Sequence, residues 1–408
     1  MKGRCVSSDN KASSSGTVRW LLILIATALL SQTALNLVRP VTTYKLISLH
    51  ADSVTIGAVT AAYALLPLFT AIYLGRVSSR MRQIRYLMLG GALLLAVGGA
   101  GIALSPNALL VATASAVLGL GHLMFTIGGQ SSIARFLPDT ELDKGFGWFT
   151  AAFSAGQFLG PLIAGFVLGT GTSADSPERI ASISLSLWIG AGCALLAIPL
   201  LLPNLQPKVS KKALPSAPGK KKTSAIGILK IRGVASHLFA SLTLLSILDI
   251  LTAFLPLVAE KHNVTPTAVG VLLAIRGCAS VVSRLVIPQL SAHFSRQSLL
   301  TVSLYIAAAT IAIAPAFIDS LWIAGAALLV GGFFLGLGQP LTMTMISTSV
   351  PPLDRGAALA VRLMGNRLGQ VALPVIASTV AAGMGPGGAI WFSCALLGAS
   401  AVEKTIRR

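Results

Sequence analysis

One carboxylate stands by itself in the apolar part of this chain. Asp249 lies inside the run Val234–Leu257 and is the only acid well inside any such run. Low dielectric makes its ionisation costly, which suits such a group to taking up and releasing a proton. The competing reading is static: Arg276, in the next run, would pair with Asp249 and fix packing. Three arginines, Arg276, Arg362 and Arg367, also sit within apolar runs. An uncompensated charge in the middle of a bilayer costs about 3 kcal/mol or more, so such residues point to a pathway.

Arg362, Asn366 and Gln370 recur at i, i+4 and i+8 and share one helix flank. Arg362 is near the end of its run and can snorkel to the surface, whereas Arg367 is central and cannot easily do so. Arg276 and Arg367 together would make a partly positive cavity suited to a carboxylate. The alternative is that they bond backbone carbonyls freed near Pro340 or Pro374. His122 and Gln339 hold matching places in two similar stretches, and either face a cavity or simply bond across helices. Asn36, Gln157 and Tyr63 are further candidates for lining a cavity. Arg39-Pro40 closes the first apolar run and reads as an interfacial anchor.

These side chains need apolar helices to hold them. Hydrophobic residues are 54% of the 408 and charged residues 11%, with mean hydropathy +0.81. Soluble domains carry about 25% charged residues, so the chain belongs to the membrane class. A spanning helix needs about 20 largely apolar residues. The candidates are Trp20–Val38, Val54–Leu74, Leu87–Leu104, Ala108–Gly129, Phe146–Leu168 and Ile180–Leu202, then Val234–Leu257, Ala268–Leu290, Leu299–Ala316, Leu321–Met345, Ala357–Val380 and Ala389–Val402. The hydrophilic segment before Trp20 has no small-residue cleavage site after it, so the first run is read as a span rather than a signal peptide.

Between the two sets of six lies a basic stretch, residues 204–232, rich in Lys, Pro and Ser and without acids. It reads as a solvated linker. The chain thus divides into a tail (1–19), a first bundle (20–203), the linker (204–232), a second bundle (233–402) and a closing tail (403–408). Most of the 31 Lys and Arg fall in the tails, the linker and the loops on the same side, including Arg76, Arg80, Arg82 and Arg85. The opposite loops carry only Arg39, Lys45, Arg179 and Lys261. The bias places both termini and the linker in the cytoplasm. The same pattern accounts for the net charge of +19 without nucleic acid, since no basic patch is interleaved with aromatics.

The halves are internally similar. Leu118–His122 reads LGLGH and Leu335–Gln339 reads LGLGQ, each in the fourth span of its half. Gly156–Gly160 (GQFLG) matches Gly365–Gly369 (GNRLG), and Gly57 matches Gly270. Parallel repeats about an axis along the membrane normal are a transporter feature.

This order of features resembles the major facilitator superfamily of secondary transporters, over almost the whole chain. The turn Gly75-Arg-Val-Ser-Ser-Arg-Met-Arg82 is similar to that family's G-x-L-A-D-R-x-G-R loop, which latches the halves in one state. Ser79 replaces the usual Asp and Arg82 the usual Gly, and the bland reading of the turn is a positive-inside loop. Gly156-Gln-Phe-Leu-Gly160-Pro161-Leu-Ile-Ala-Gly165 resembles the G-x-x-x-G-P-x-x-G-G signature of exporters and antiporters, with Ala164 at its penultimate glycine. Glycines four apart let a neighbouring backbone approach, and proline permits a bend. Structural membrane helices use the same spacing.

The resemblance implies an all-α membrane protein of twelve helices in two six-helix bundles, of the drug or metabolite:proton antiporter type. The expected function is alternating-access export of a small organic molecule, anionic or zwitterionic, in exchange for protons. Asp249 is the proton carrier, with Arg276, Arg367 and Asn366 on the substrate. Gly156, Gly160, Pro161 and Gly165, with Gly75 and Arg80, serve the conformational change. Uptake of an organic anion, or a receptor or scaffold on the same fold, are the alternatives. A monomer in a bacterial cytoplasmic (inner) membrane is expected from the compact loops, although the sequon Asn263–Thr265 leaves a eukaryotic host open. No cofactor or metal is expected. The four cysteines form no C-x-x-C, and H-E-x-x-H, Walker and G-x-S-x-G motifs are absent, so neither a zinc site nor P-loop chemistry is indicated.

Overall fold

The computed structural model describes residues 6–138, 141–171, 176–203, 225–231, 233–351 and 355–406. Twelve helices among them are long and apolar enough to cross a membrane. In chain order the helices are α1 (Val6–Ser48), α2 (Ser53–Arg80), α3 (Arg85–Leu104), α4 (Ala108–Phe136), α5 (Leu142–Leu168), α6 (Pro177–Leu201), the short α7 (Ala225–Leu229), α8 (Val234–Lys261), α9 (Pro266–His293), α10 (Arg296–Ala316), α11 (Leu321–Thr348), α12 (Arg355–Met384) and α13 (Gly387–Ile406). The linker residues 204–224 lie outside the described residues, and α7 occupies the end of that stretch. The closing tail is helical to Ile406.

Helix starts are capped where the chain turns back. Asp52, Asn107, Ser176 and Thr265 each accept a hydrogen bond from the backbone three residues on, at 2.8, 3.0, 3.2 and 3.3 Å. Each cap satisfies a donor that the first helical turn leaves orphaned. The carboxylate of Asp52 is held below its usual range by its bonds to Thr55.

α1 corrects the sequence reading. It does not end at Arg39-Pro40 but continues through the proline to Ser48, so Arg39 and Lys45 are helical residues rather than loop charges. A proline inside a helix forfeits one backbone bond; buried packing of Val41, Tyr44 and Leu46 keeps the helix going.

Because spans alternate in direction, two faces can be distinguished. One carries the chain ends; the far face carries the α1–α2, α3–α4, α5–α6, α8–α9, α10–α11 and α12–α13 turns. The largest apolar cluster joins both halves, with Leu37, Val41, Ile56 and Val59 packed with Leu251, Phe254 and Val258. Nearer the termini the clusters separate. Trp20, Met88, Phe125 and Ile133 belong to the first half, and Val234, Leu238, Ile346 and Val350 to the second. The halves meet principally through α5 on α9 and α2 on α12, with α1 and α2 on α8. α3, α4 and α6 pack within the first half and α10, α11 and α13 within the second. The molecule is closed toward the far face, and its halves part toward the termini.

The seams are glycine contacts. A Cβ on Gly270 would stand 2.5 Å from the Pro161 carbonyl oxygen and 2.7 Å from Gly165 Cα. One on Gly57 would stand 2.3 Å from Ser378 Cβ. Thr267 Oγ1 donates to Gly165 O at 2.9 Å, and its amide to Gly169 O at 3.3 Å.

Candidate functional site

At the level where the halves part, α1 brings Arg39 opposite Asp249 of α8. Arg39 Nη2 is 2.7 Å from Asp249 Oδ1, and its guanidinium lies 4.7 Å from the centre of the Tyr63 ring of α2. Asp249 is 3% exposed. Its second oxygen accepts from Gln370 Nε2 at 2.6 Å, and Gln370 Oε1 accepts from Arg367 Nη1 at 2.9 Å. One carboxylate therefore ties α1, α8 and α12 together. Its partner is Arg39 of the other half rather than Arg276, which corrects the static pairing the sequence allows.

A second chain of bonds continues through the first half. Asn36 Nδ2 donates to Gln32 O at 2.8 Å and lies 3.4 Å from Gln32 Oε1. Gln32 Nε2 faces His122 Nε2 at 2.9 Å, and His122 Nδ1 faces Tyr63 Oη at 2.6 Å. An amide nitrogen has only protons to offer, so the facing imidazole nitrogen accepts. That puts a proton on Nδ1, which donates to the tyrosine oxygen. His122 thus bonds across helices, the plainer of its two readings. Phe153 lies tilted beside it, with Phe149 packed against Phe153.

Close backbone approach explains the alignment. A Cβ on Gly156 would lie 2.4 Å from Gln32 Cβ, and one on Gly160 2.7 Å from the Asn36 carbonyl carbon. The α5 motif therefore presses on the turns of α1 that carry Gln32 and Asn36, and beyond Pro161 it forms the α9 seam.

The other candidates scatter around this centre. Arg362 donates to Gln339 Oε1 at 2.7 Å, a bond between α12 and α11 rather than an escape to the surface. Gln339 Nε2 in turn donates to Ser241 O at 3.4 Å. Asn366 is buried, and its Oδ1 has no partner. Gln157 is half-buried, its carbonyl oxygen packed where a Cβ on Gly277 would be at 2.8 Å. Arg80 is exposed and Gly75 faces open space. Their turn is held from within its own half by Arg135, which donates to Met81 O at 2.7 Å and Ser78 O at 3.2 Å.

Sequence reasoning missed three of these residues. Arg39 was hidden by its proline, and Gln32 is one polar side chain among many in α1. Arg284 also falls within the run Ala268–Leu290 but is not among the arginines counted there; it lies inside α9 and donates to Ser154 of α5 at 2.5 Å. Its position two turns beyond Arg276 on one helix was the available signal.

A small cavity of about 30 Å³, room for one water, adjoins the far-face side of the pair. Arg39, Asp249, Tyr63, Thr42, Thr60, Ser115 and Thr252 line it. On that side Arg179 closes the gap between α6 and α8. It reaches Glu260 Oε2 at 3.1 Å and Gly171 O at 2.6 Å, and lies over Tyr44 at 4.8 Å. Among the described residues no group of His, Cys, Asp and Glu is arranged to hold a metal.

The model of the Major Facilitator Superfamily matches residues 21–331 and again 238–406. The chain belongs to that superfamily. It is accordingly a secondary transporter of small molecules, not an enzyme. Solved structures agree on the fold of this facilitator. A nucleoside transporter, NupG, superposes with TM-score 0.78 at 15% identity, covering 95% of this chain and 99% of that one. A bacterial homologue of the human lysosomal transporter Spinster, in an inward-facing and unoccupied conformation, gives 0.72 at 15%, covering 96% and 95%. A D-xylose-proton symporter gives 0.72 at 15%, covering 95% and 96%. No curated protein sequence matches the chain.

Proposed function

We propose that this facilitator couples movement of a small organic molecule to protons, with Asp249 as the proton site, and works as an exporter in the cytoplasmic membrane. The observation that carries the reading is the placement of Asp249. The one acid deep in a span bridges the halves, to Arg39 of the first and through Gln370 to Arg367 of the second. Protonation removes the charge that holds Arg39, so the halves lose their central tie and the far-face seams are free to open. Deprotonation restores the tie. A bond that exists in only one protonation state biases a two-state equilibrium, as coupling requires.

With the basic linker and loops in the cytoplasm, the far face is external and this conformation opens inward. The Spinster homologue named as inward-facing supports that reading by likeness of fold. The α5 motif favours export in exchange for protons. Import together with protons is the second reading, favoured by the buried arginines around Asp249, which suit an organic anion.

Proteoliposomes loaded with the protein test both. Asp249→Asn should insert normally and lose gradient-driven transport; full gradient-driven activity in that variant would overturn the proton role. Imposing the proton gradient in each direction separates export from import. Impermeant labels on residue 5 and on the linker in intact cells should react from the cytoplasmic side alone.

A further inference from the structure

Charge is out of balance inside the bundles. Arg39, Arg276, Arg284, Arg362 and Arg367 all lie within spans, and Asp249 is the one carboxylate away from the span ends, where Glu178, Glu260 and Glu403 sit. Asp249 is already held by Arg39 and Gln370. Arg362 and Arg367 have glutamine oxygens, and Arg284 has the Ser154 hydroxyl. Arg276 has none of these. It is 4% exposed, its Nε is unsatisfied, and its guanidinium makes no hydrogen bond or ion pair among the described residues.

Nor is Arg276 isolated. Its charge is within electrostatic reach of Arg284, of Arg39 and of Asp249. Arg284 Nε is likewise buried without a partner. Two guanidinium groups on one helix, close enough to repel and short of acceptors, are costly unless an anion lies between them. Neighbouring backbone supports the placement. Gly332 of α11 lets the Arg276 backbone approach, with a hypothetical Cβ only 2.5 Å from Arg276 O. Gly277 lies against the backbone of Gln157 on α5. Arg276 is therefore seated against α11, next to the Gly277 contact with α5, and Arg284 two turns on reaches Ser154 of α5.

We infer that the transported molecule carries an acidic group, a carboxylate or an oxyanion of phosphate or sulfate, which docks on Arg276 with Arg284. A planar guanidinium presents paired donors that match two oxygens of such a group, and the fork is specific in a way that an ammonium is not. Ser154 of α5 meets Arg284 and the Gln157 backbone lies against Gly277, so α5 borders the site from the first half and an anion held there bridges the two bundles. This rests on the transporter reading and deepens it by naming the substrate class; it holds for either direction of transport.

The test is binding to the purified full-length protein, read as the thermal unfolding midpoint at constant ionic strength. Succinate, inorganic phosphate and sulfate are the probes, with choline chloride and glucose as controls. At least one anion should raise the midpoint saturably. Its apparent Kd should weaken by about tenfold or more in Arg276→Gln and in Arg284→Gln. Arg276→Lys, which keeps the charge, should bind more tightly than Arg276→Gln and stands in if that variant fails to fold. Absence of saturable stabilisation by all three anions, or equal affinity in wild type and both glutamine variants, overturns the inference. Proton-driven flux of neutral or cationic solutes alone, in proteoliposomes, overturns the substrate class and leaves the transporter reading intact. No proton-driven flux of any solute overturns the proposed proton coupling and leaves the anion inference to be decided by the binding measurement.

Discussion

Gly57 and Gly270 hold matching places in the two halves, and each seats its helix against the opposite half. Gly57 of α2 lies on Ser378 and Pro374 of α12, and Gly270 of α9 on Pro161 and Gly165 of α5. The two seams are thus a pseudo-symmetric pair. A side chain at either position has no room while the far face is closed. Gly270→Val should fold and insert, because the clash exists in one state only. Transport should fall by about tenfold or more, a bias of roughly 1.4 kcal/mol. In that variant a cysteine introduced at Thr43, beside the central cavity, should become reactive to an impermeant maleimide applied to the far face. Unchanged labelling would show that the seam does not govern access.

The Arg39–Asp249 pair permits a double-mutant cycle. Removing one partner strands a buried charge, at a cost of about 3–5 kcal/mol. Arg39→Gln and Asp249→Asn should each lower the unfolding midpoint clearly. The combined variant should recover much of the loss, since neither charge remains. Proton coupling should not return with stability. Additive losses in the double variant would mean that the two residues do not act as a pair.

Much of this was legible in the sequence, and the failures have physical causes. The twelve spans follow from runs of about 20 apolar residues. Gly57, Gly156, Gly160 and Gly270 were recognisable because close packing leaves a spacing pattern. The partner of Asp249 was not. An arginine next to a proline at the end of an apolar run looks like a helix terminus, and nothing local says that α1 continues to Ser48. Pairing across halves depends on tertiary placement, which carries no periodicity. Arg284 was lost for a plainer reason: it falls inside the run Ala268–Leu290 but is not among the arginines counted within runs, whereas α9 sets it, half-buried, against Ser154.

Tyr63 holds two roles that substitution can separate. Its ring lies under Arg39, and its hydroxyl meets His122 Nδ1 at 2.6 Å. Tyr63→Phe keeps the ring and leaves the buried imidazole donor unpaired, which should cost about 1–3 kcal/mol. Tyr63→Leu should cost more, because the stacked cation also loses its aromatic face. Equal melting midpoints for the two variants would show that the ring contributes nothing under Arg39.

Arg179 supplies the outermost tie between the halves. It joins Glu260 of α8 to the first half while donating to Gly171 O and covering Tyr44. Both charges are largely shielded from solvent, with side chains 3% and 15% exposed, so the pair escapes the screening that makes surface ion pairs weak. Glu260→Gln keeps the shape and removes one charge. Because the contact lies on the far face, the change should weaken the closed state there and leave the opposite opening untouched. A bias of about 1–2 kcal/mol toward the far-open state corresponds to a five- to thirtyfold shift in population. Maleimide labelling reads it. The cysteine at Thr43, which lines the central cavity, should react several-fold faster from the far face with Glu260→Gln added. An unchanged rate would assign closure to the glycine seams alone.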